Sequence, residues 1–224
     1  MLSVVIPTLD GAADLERTFD ALAEGAGLIG EIVVADGGSR DGTPDLAARL
    51  GARVVSSSAS RGAQLAVGAQ ATTQPWLLFL HGDTRLEAGW TDAAARFIAA
   101  PENRERAAYF RFALDDGRAV ARRIEVLVAW RCRALALPYG DQGLLIARAF
   151  HDALGGFRPM PLMEDVEMVR RIGRRRLVAL DVSAVTSATR FRQDGYFRRS
   201  ARNLLCVGLY FLGLPPRALL RLYE

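Results

Sequence analysis

The segment Trp76-Leu77-Leu78-Phe79-Leu80-His81-Gly82-Asp83-Thr84 decides the fold class. Its apolar half reads as a short strand covered on both faces, and it ends abruptly in a polar, glycine-containing turn. Upstream, Arg53-Val54-Val55, Glu31-Ile32-Val33-Val34-Ala35 and Ser3-Val4-Val5-Ile6-Pro7 read as three more strands. The first of them in the chain is too short for a helix and rich in β-branched residues. Helices are expected between the strands. Leu15, Phe19 and Leu22 recur at helical spacing behind Asp14, a good cap, and Thr43-Pro44 opens a second helix with proline at its first position. A third helix is expected from about Arg61 to Ala71. Strand and helix in alternation predict right-handed crossovers and an α/β, mainly parallel sheet with helices on both faces.

Beyond Leu86 the rhythm loosens. A helix is expected over Trp90–Ala100, a strand at Tyr109-Phe110-Arg111-Phe112, a helix over Ala119–Ala136 and a strand at Leu144-Leu145-Ile146. The turn-rich Gln193-Asp194-Gly195 is the one plausible boundary, dividing a domain over 1–194 from a C-terminal helical appendage over 195–224.

The composition suits a chain of 224 residues with one substantial core: half is hydrophobic and 24% charged. That excludes a disordered tail, a collagen and a disulfide-stapled miniature. Cys132 and Cys206 have no metal-ligand or redox-pair spacing and are expected to be free thiols. Met1-Leu2-Ser3 runs straight into a strand, so no secretion leader is expected and the location is read as cytoplasmic. All the positive charge is arginine, since the chain has no lysine. Acids outnumber arginines over residues 1–100, and arginines dominate afterwards, above all from Arg190 onward.

A basic end suits a phosphate-bearing substrate or an anionic membrane. Nucleic acid is disfavoured, because Phe197, Tyr210 and Phe211 lie inside apolar helical runs and not on a strand face where bases stack. The apolar stretch Leu204–Leu214 is about half of what spans a bilayer. Flanked by arginines, it suits a helix lying on the inner membrane face; a core helix or a dimer contact is the alternative.

In a parallel α/β sheet, ligands bind beyond the carboxyl ends of the strands. There the chain places Pro7-Thr8-Leu9-Asp10, Asp36-Gly37-Gly38-Ser39 and His81-Gly82-Asp83-Thr84, an acid at each of three strand ends. Gathered carboxylates repel unless a cation or hydrogen-bond donors compensate, and a divalent ion bridging carboxylate and phosphate would do so. No phosphate-binding P-loop and no dinucleotide glycine fingerprint is present, which removes the main support for kinase, NTPase and dinucleotide-oxidoreductase readings.

In order along the chain, Ser3–Thr8, Val34–Thr43 and Leu78–Thr84 resemble the successive signatures of family 2 glycosyltransferases. Gly155-Gly156-Phe157 followed by Met163-Glu164-Asp165-Val166-Glu167 is similar to that family's Gly-Gly-Phe and Glu-Asp motifs. The resemblance covers roughly residues 2–190. It implies a GT-A fold and inverting, hexosyltransferase-type transfer from a nucleotide-diphosphate sugar, a UDP-sugar above others, to a hydroxyl acceptor. Pro7, Thr8, Asp10 and Gly82 would line the nucleotide pocket. Asp36 would accept a hydrogen bond from the base, and Arg61 would face the nucleotide or its phosphates.

Asp83 would hold the divalent metal, Mn²⁺ or Mg²⁺. His81 stands where the family's Asp-x-Asp motif has its first acid, and a neutral imidazole favours ions softer than magnesium. Asp165 would be the general base that takes the acceptor's proton, with Glu164 in reserve; both also stand where a helix start favours acids. Arg190, and with it Arg192, resembles a basic-aromatic motif placed over the diphosphate, with a surface or lipid contact as the alternative. Tyr139-Gly140-Asp141-Gln142-Gly143 is expected to be a structural turn, although Asp141 and Gln142 could touch sugar hydroxyls. Two other readings remain open. A sugar-phosphate nucleotidyltransferase is disfavoured because Leu9–Ala13 lacks a basic glycine-rich loop. A catalytically weak nucleotide-sugar-binding protein is suggested by His81.

Overall fold

A computed structural model describes residues 1–223, leaving Glu224 of the expected C-terminal segment outside the described residues. The chain begins as β1 (Leu2–Thr8), α1 (Ala12–Leu22), β2 (Ile29–Asp36), α2 (Thr43–Arg49), β3 (Arg53–Ser56), α3 (Arg61–Gln70) and β4 (Trp76–Phe79). These strands pair in parallel in the order β3-β2-β1-β4. β1 and β4 are buried along their whole length, which is why their sequences show no alternation.

The chain continues as β5 (Thr84–Leu86), α4 (Trp90–Ala99), β6 (Ala107–Leu114), α5 (Ala119–Leu135), β7 (Leu144–Ala147), α6 (Arg148–Ala153), α7 (Glu164–Ile172) and β8 (Leu177–Thr186). It closes with α8 (Thr189–Asp194), α9 (Tyr196–Phe211) and α10 (Pro216–Tyr223). β7 adds antiparallel to β4, and the sheet runs β3-β2-β1-β4-β7-β6-β8-β5. It is mixed, with β6 and β8 parallel and β5 antiparallel at the far edge.

β4 and β5 are consecutive in sequence yet four strand intervals apart in the sheet. A flat sheet would separate them by about 19 Å, while five residue steps reach at most about 18 Å. The link also turns, with the Thr84 amide donating to the His81 carbonyl at 3.2 Å. The sheet therefore curls, and residues 80–83 bridge its two halves. Leu80 is held to Val5 by a 3.0 Å backbone bond, and the Asp83 carbonyl accepts from the Ser187 amide at 3.0 Å.

The sequence reading assigns no strand to 84–86 or 177–186. Three residues are too few for a periodic signal, and β8 follows directly on the arginine run 174–176. Two helix starts also differ from expectation. Asp14 lies inside the first turn of α1, whose first amides are capped from the neighbouring loop, and Gly42 precedes α2 in a left-handed conformation at φ 85°.

The main core lies between the sheet and its helices, with Trp90, Phe110, Leu78 and Ile146 among its fully buried side chains. The C-terminal helices share a second apolar cluster with α7, in which Cys206, Val207 and Leu219 meet Leu137, Leu162, Met163, Val166 and Val169. Both cysteines are free and buried.

Candidate active site

The loops after β1 and β2 are tied to each other. Ser39 Oγ, Thr43 Oγ1 and Asp41 Oδ2 accept the amides of Asp10, Gly11 and Ala12 at 2.9–3.0 Å, and Asp10 Oδ1 accepts the Arg40 amide at 2.8 Å. Asp41 thus caps α1 across the loops and satisfies an amide its own chain leaves open.

Asp36 anchors the second loop. Its carboxylate accepts the Gly38 and Ser39 amides at 2.8 and 2.9 Å, the Ser39 hydroxyl at 2.5 Å and the Thr8 hydroxyl at 3.2 Å. Burial works to raise its pKa, but the bonds from Ser39, Gly38 and Thr8 outweigh burial and hold the carboxyl below its usual range.

Beyond these strand ends opens a cleft of about 640 Å³. Pro7, Thr8, Asp10, Arg61, His81, Gly82, Asp83, Glu164, Asp165 and Arg190 all line it. Asp36 does not. It stands behind Thr8, with its carboxylate engaged by Thr8 and by its own loop. Arg192 also lies elsewhere, 3.9 Å from Asp116 and bonded to the Asp115 carbonyl at 3.4 Å.

Glu164 and Asp165 open α7 immediately after Met163, which takes a left-handed conformation at φ 68°. A non-glycine residue there is under strain, and such strain collects where a turn must aim particular side chains. Asp165 accepts two amides, Gly140 at 2.7 Å on Oδ2 and Val166 at 2.7 Å on Oδ1. Glu164 is 1% exposed and faces Arg61 Nη1 at 3.7 Å. Burial, then the neighbouring Asp165 charge, raises the Glu164 pKa well above the ordinary carboxylate range, with Arg61 opposing. The Gly-Gly-Phe segment is structural: Arg171 Nη2 donates to the Gly156 carbonyl at 2.7 Å while its Nε bonds Glu167 at 2.9 Å.

His81 packs against Gly140, where an added Cβ would lie 2.6 Å from the imidazole Nε2. Burial, with help from the Arg61 and Arg190 charges, pushes its pKa down against the pull of Asp83 and keeps the ring neutral at neutral pH. Neutral imidazole is the form that can ligate a metal. Among the described residues no three His, Cys, Asp or Glu side chains converge as a metal cage. One carboxylate and one imidazole on the cleft wall nevertheless fit an ion that takes its remaining ligands from phosphate and water.

Two residues expected chiefly to be structural also line the cleft. Asp14, expected to be a cap, faces the cleft; burial and the Asp83 charge raise its pKa. Asp141, expected to belong to a structural turn, also lines the cleft, and its Oδ1 is buried without a hydrogen-bond partner. The far wall comes from the C-terminal helices, through Arg199, Asn203, Val207 and Leu220.

Comparison with known proteins supplies the family. The model of glycosyl transferase family 2 matches residues 3–124. The chain belongs to that family. Among curated relatives, a PGL/p-HBAD biosynthesis glycosyltransferase of Mycobacterium tuberculosis is 37% identical over 116 residues, covering 46% of this chain and 43% of the relative. A Mycobacterium bovis protein of the same description matches equally. The chain thus spans less than half the length of these curated relatives.

Among solved structures, S. aureus TarS in complex with UDP-GlcNAc superposes with a TM-score of 0.66 at 16% identity, over 99% of this chain and 70% of that one. Glucosyl-3-phosphoglycerate synthase from M. tuberculosis, in complex with Mn²⁺, UDP and glucosyl-3-phosphoglycerate, gives 0.57 at 21% identity, over 84% of this chain and 70% of that one. At such identities the likeness shows the fold, which is GT-A. In this family 2 member Asp83 and the Glu-Asp pair, some 80 residues apart in sequence, line one cleft, together with Asp10.

Proposed function

We propose that this family 2 member transfers a sugar from a nucleotide-diphosphate donor, a UDP-sugar, to an acceptor hydroxyl with inversion at the anomeric carbon. The observation that carries the reading is that Asp83 and Asp165, from distant parts of the chain, line one cleft. The end of β1 and the segments after β1 and β4, through Pro7, Thr8, Asp10 and Gly82, form the nucleotide side. Arg61 and Arg190 offer positive charge to the diphosphate, where charge develops as the glycosidic bond breaks.

Asp83 and His81 are the residues that would hold a divalent cation, Mn²⁺ or Mg²⁺. Such a cation supplies Lewis-acid neutralisation of the leaving diphosphate. Asp165 takes the acceptor proton as the hydroxyl oxygen attacks from the face opposite the diphosphate. Two amide donors fix its orientation before any substrate arrives, which is the positioning a general base needs. Glu164, buried beside it against Arg61, is the positioning partner in this scheme.

Calorimetric titration with UDP, with and without Mn²⁺, tests the binding half. Asp83→Ala is expected to weaken metal-dependent binding. Asp165→Asn is expected to retain UDP binding and lower turnover by orders of magnitude. Absence of UDP, GDP and dTDP binding under every metal condition overturns the enzyme reading. Binding without transfer or hydrolysis favours the weakly catalytic alternative that His81 suggests. Pyrophosphate release from sugar phosphate and nucleoside triphosphate favours the nucleotidyltransferase.

We further propose a cytoplasmic enzyme resting on an anionic membrane face. Among the described residues no helix is long and apolar enough to cross a membrane. Phe197, Leu204, Leu205 and Leu212 are exposed at the C-terminal end, near Arg198 and Arg217, and support surface attachment. Vesicles of phosphatidylglycerol should retain the protein and vesicles of phosphatidylcholine should not. Leu204→Glu with Leu212→Glu should abolish retention; unchanged retention refutes the contact.

A further inference from the structure

Asp141 sits in the single-turn 3-10 helix Gly140–Gln142, between α5 and β7. Its neighbours are committed to the framework. The Gly140 amide donates to Asp165, and Gln142 Nε2 donates to the Phe110 carbonyl at 3.0 Å. Gln142 Oε1 accepts from Arg131 at 3.2 Å and from the Tyr139 amide at 3.3 Å. The Asp141 carbonyl accepts the Thr186 hydroxyl at 3.3 Å. The carboxyl group is different: it lines the cleft, and Oδ1 is buried without a hydrogen-bond partner. A turn residue serving structure alone would spend its side chain on backbone amides, as Asp36 and Asp41 do here.

The carboxyl is also placed against its own electrostatics. Burial raises its pKa to about 6; Arg131 opposes this, while the nearby Asp165 and Asp83 charges push further upward. Desolvating an acid beside two others destabilises the empty protein, and a ligand bringing hydroxyl donors reverses that penalty. The position selects the ligand. A group within electrostatic reach of both Asp83, on the diphosphate side, and Asp165, on the acceptor side, lies beside the sugar being transferred. This step rests on the nucleotide-sugar reading given above.

We propose that Asp141 is a donor-sugar-binding residue: its carboxyl accepts a hydrogen bond from a hydroxyl of the transferred sugar and sets which sugars the cleft admits. No covalent step is assigned to it.

Titration calorimetry in the presence of Mn²⁺ with UDP, UDP-glucose, UDP-galactose and UDP-N-acetylglucosamine tests this on the full chain. In the unsubstituted protein at least one nucleotide sugar should bind more tightly than UDP. In Asp141→Asn and Asp141→Ala the UDP affinity should be kept, while the extra affinity due to the sugar falls about tenfold. The melting temperature of the empty Asp141→Asn protein should rise, which loss of a structural turn residue would not produce. Three results overturn the proposal: an undiminished sugar increment in both variants, an equal fall for UDP and UDP-sugar, or no sugar increment in the unsubstituted protein. Failure to bind UDP at all is a separate result, and sinks the nucleotide-sugar reading itself.

Discussion

At the scale of single residues, the cleft trades stability for chemistry. Asp141 has a folded-state pKa raised to about 6 against an ordinary carboxylate value of 3.8. A raised pKa means the folded protein holds the proton more tightly than the unfolded chain. Its contribution to stability is therefore fully present below about pH 4 and is lost as pH climbs through about 6. Two units correspond to about 3 kcal/mol at most. Urea unfolding of the ligand-free protein should show Asp141→Asn more stable than the unsubstituted chain at pH 7.5, with the gap narrowing towards pH 5. A gap that stays constant with pH would contradict this assignment. Asp83 and Asp165 were legible in the sequence because strand ends and the Glu-Asp motif mark them. Asp14 was not, and Asp141 only as the alternative to a structural turn, because an acid in a first helical turn or a glycine-rich turn has a sufficient local explanation. Only the tertiary fold shows that the local amides are satisfied by other groups.

Among the elements, α3 shows how the site is held in register. The Gly62 amide donates to the Met160 carbonyl at 3.2 Å, and the Ser60 hydroxyl donates to the same oxygen at 2.9 Å. A Cβ on Gly62 would lie 2.2 Å from the Arg158 carbonyl oxygen and 2.7 Å from the Met160 nitrogen, both backbone atoms that cannot swing away. Gly62→Ala should therefore force α3 away from the segment that leads into Glu164, costing about 1–3 kcal/mol by overpacking. Thermal melting should fall by several degrees, and nucleotide affinity should drop through the displaced Arg61–Glu164 pair. An unaltered melting temperature would show that the contact yields freely. The same element scale marks the limit of the sequence reading. β1 to β4 announce themselves by apolar runs between turns, and α3 by its pattern. β5 is only three residues long, and β8 is irregular in burial, with a shift in its register against β6 between Tyr109 and Arg111. Their pairing is decided by partners about 70 to 100 residues away, which local patterning does not encode.

Across the whole molecule, the C-terminal helices pack against the rest of the chain. Leu219, on the final helix, is fully buried against residues of α7 and α9, and Arg199, Asn203 and Val207 form cleft wall. Leu219→Ala should cost about 2–5 kcal/mol, as for other buried leucines. It should move the main unfolding transition and not split off a separate early one. Substrate affinity should weaken with it, since the wall loosens. An early minor transition, with the main one unmoved, would mean that the last helices fold as an independent layer.

The bridge formed by residues 80–83 has a consequence for how the protein is made. Asp83 is synthesised early, but it is anchored by Ser187, and the strand that follows it pairs with β8, so the ribosome must deliver about 100 further residues before that acid reaches its place in the cleft. A nascent chain can complete the β1–β4 half and still lack the proposed cation site. Dilution from denaturant should accordingly restore far-ultraviolet ellipticity before it restores Mn²⁺-dependent UDP binding.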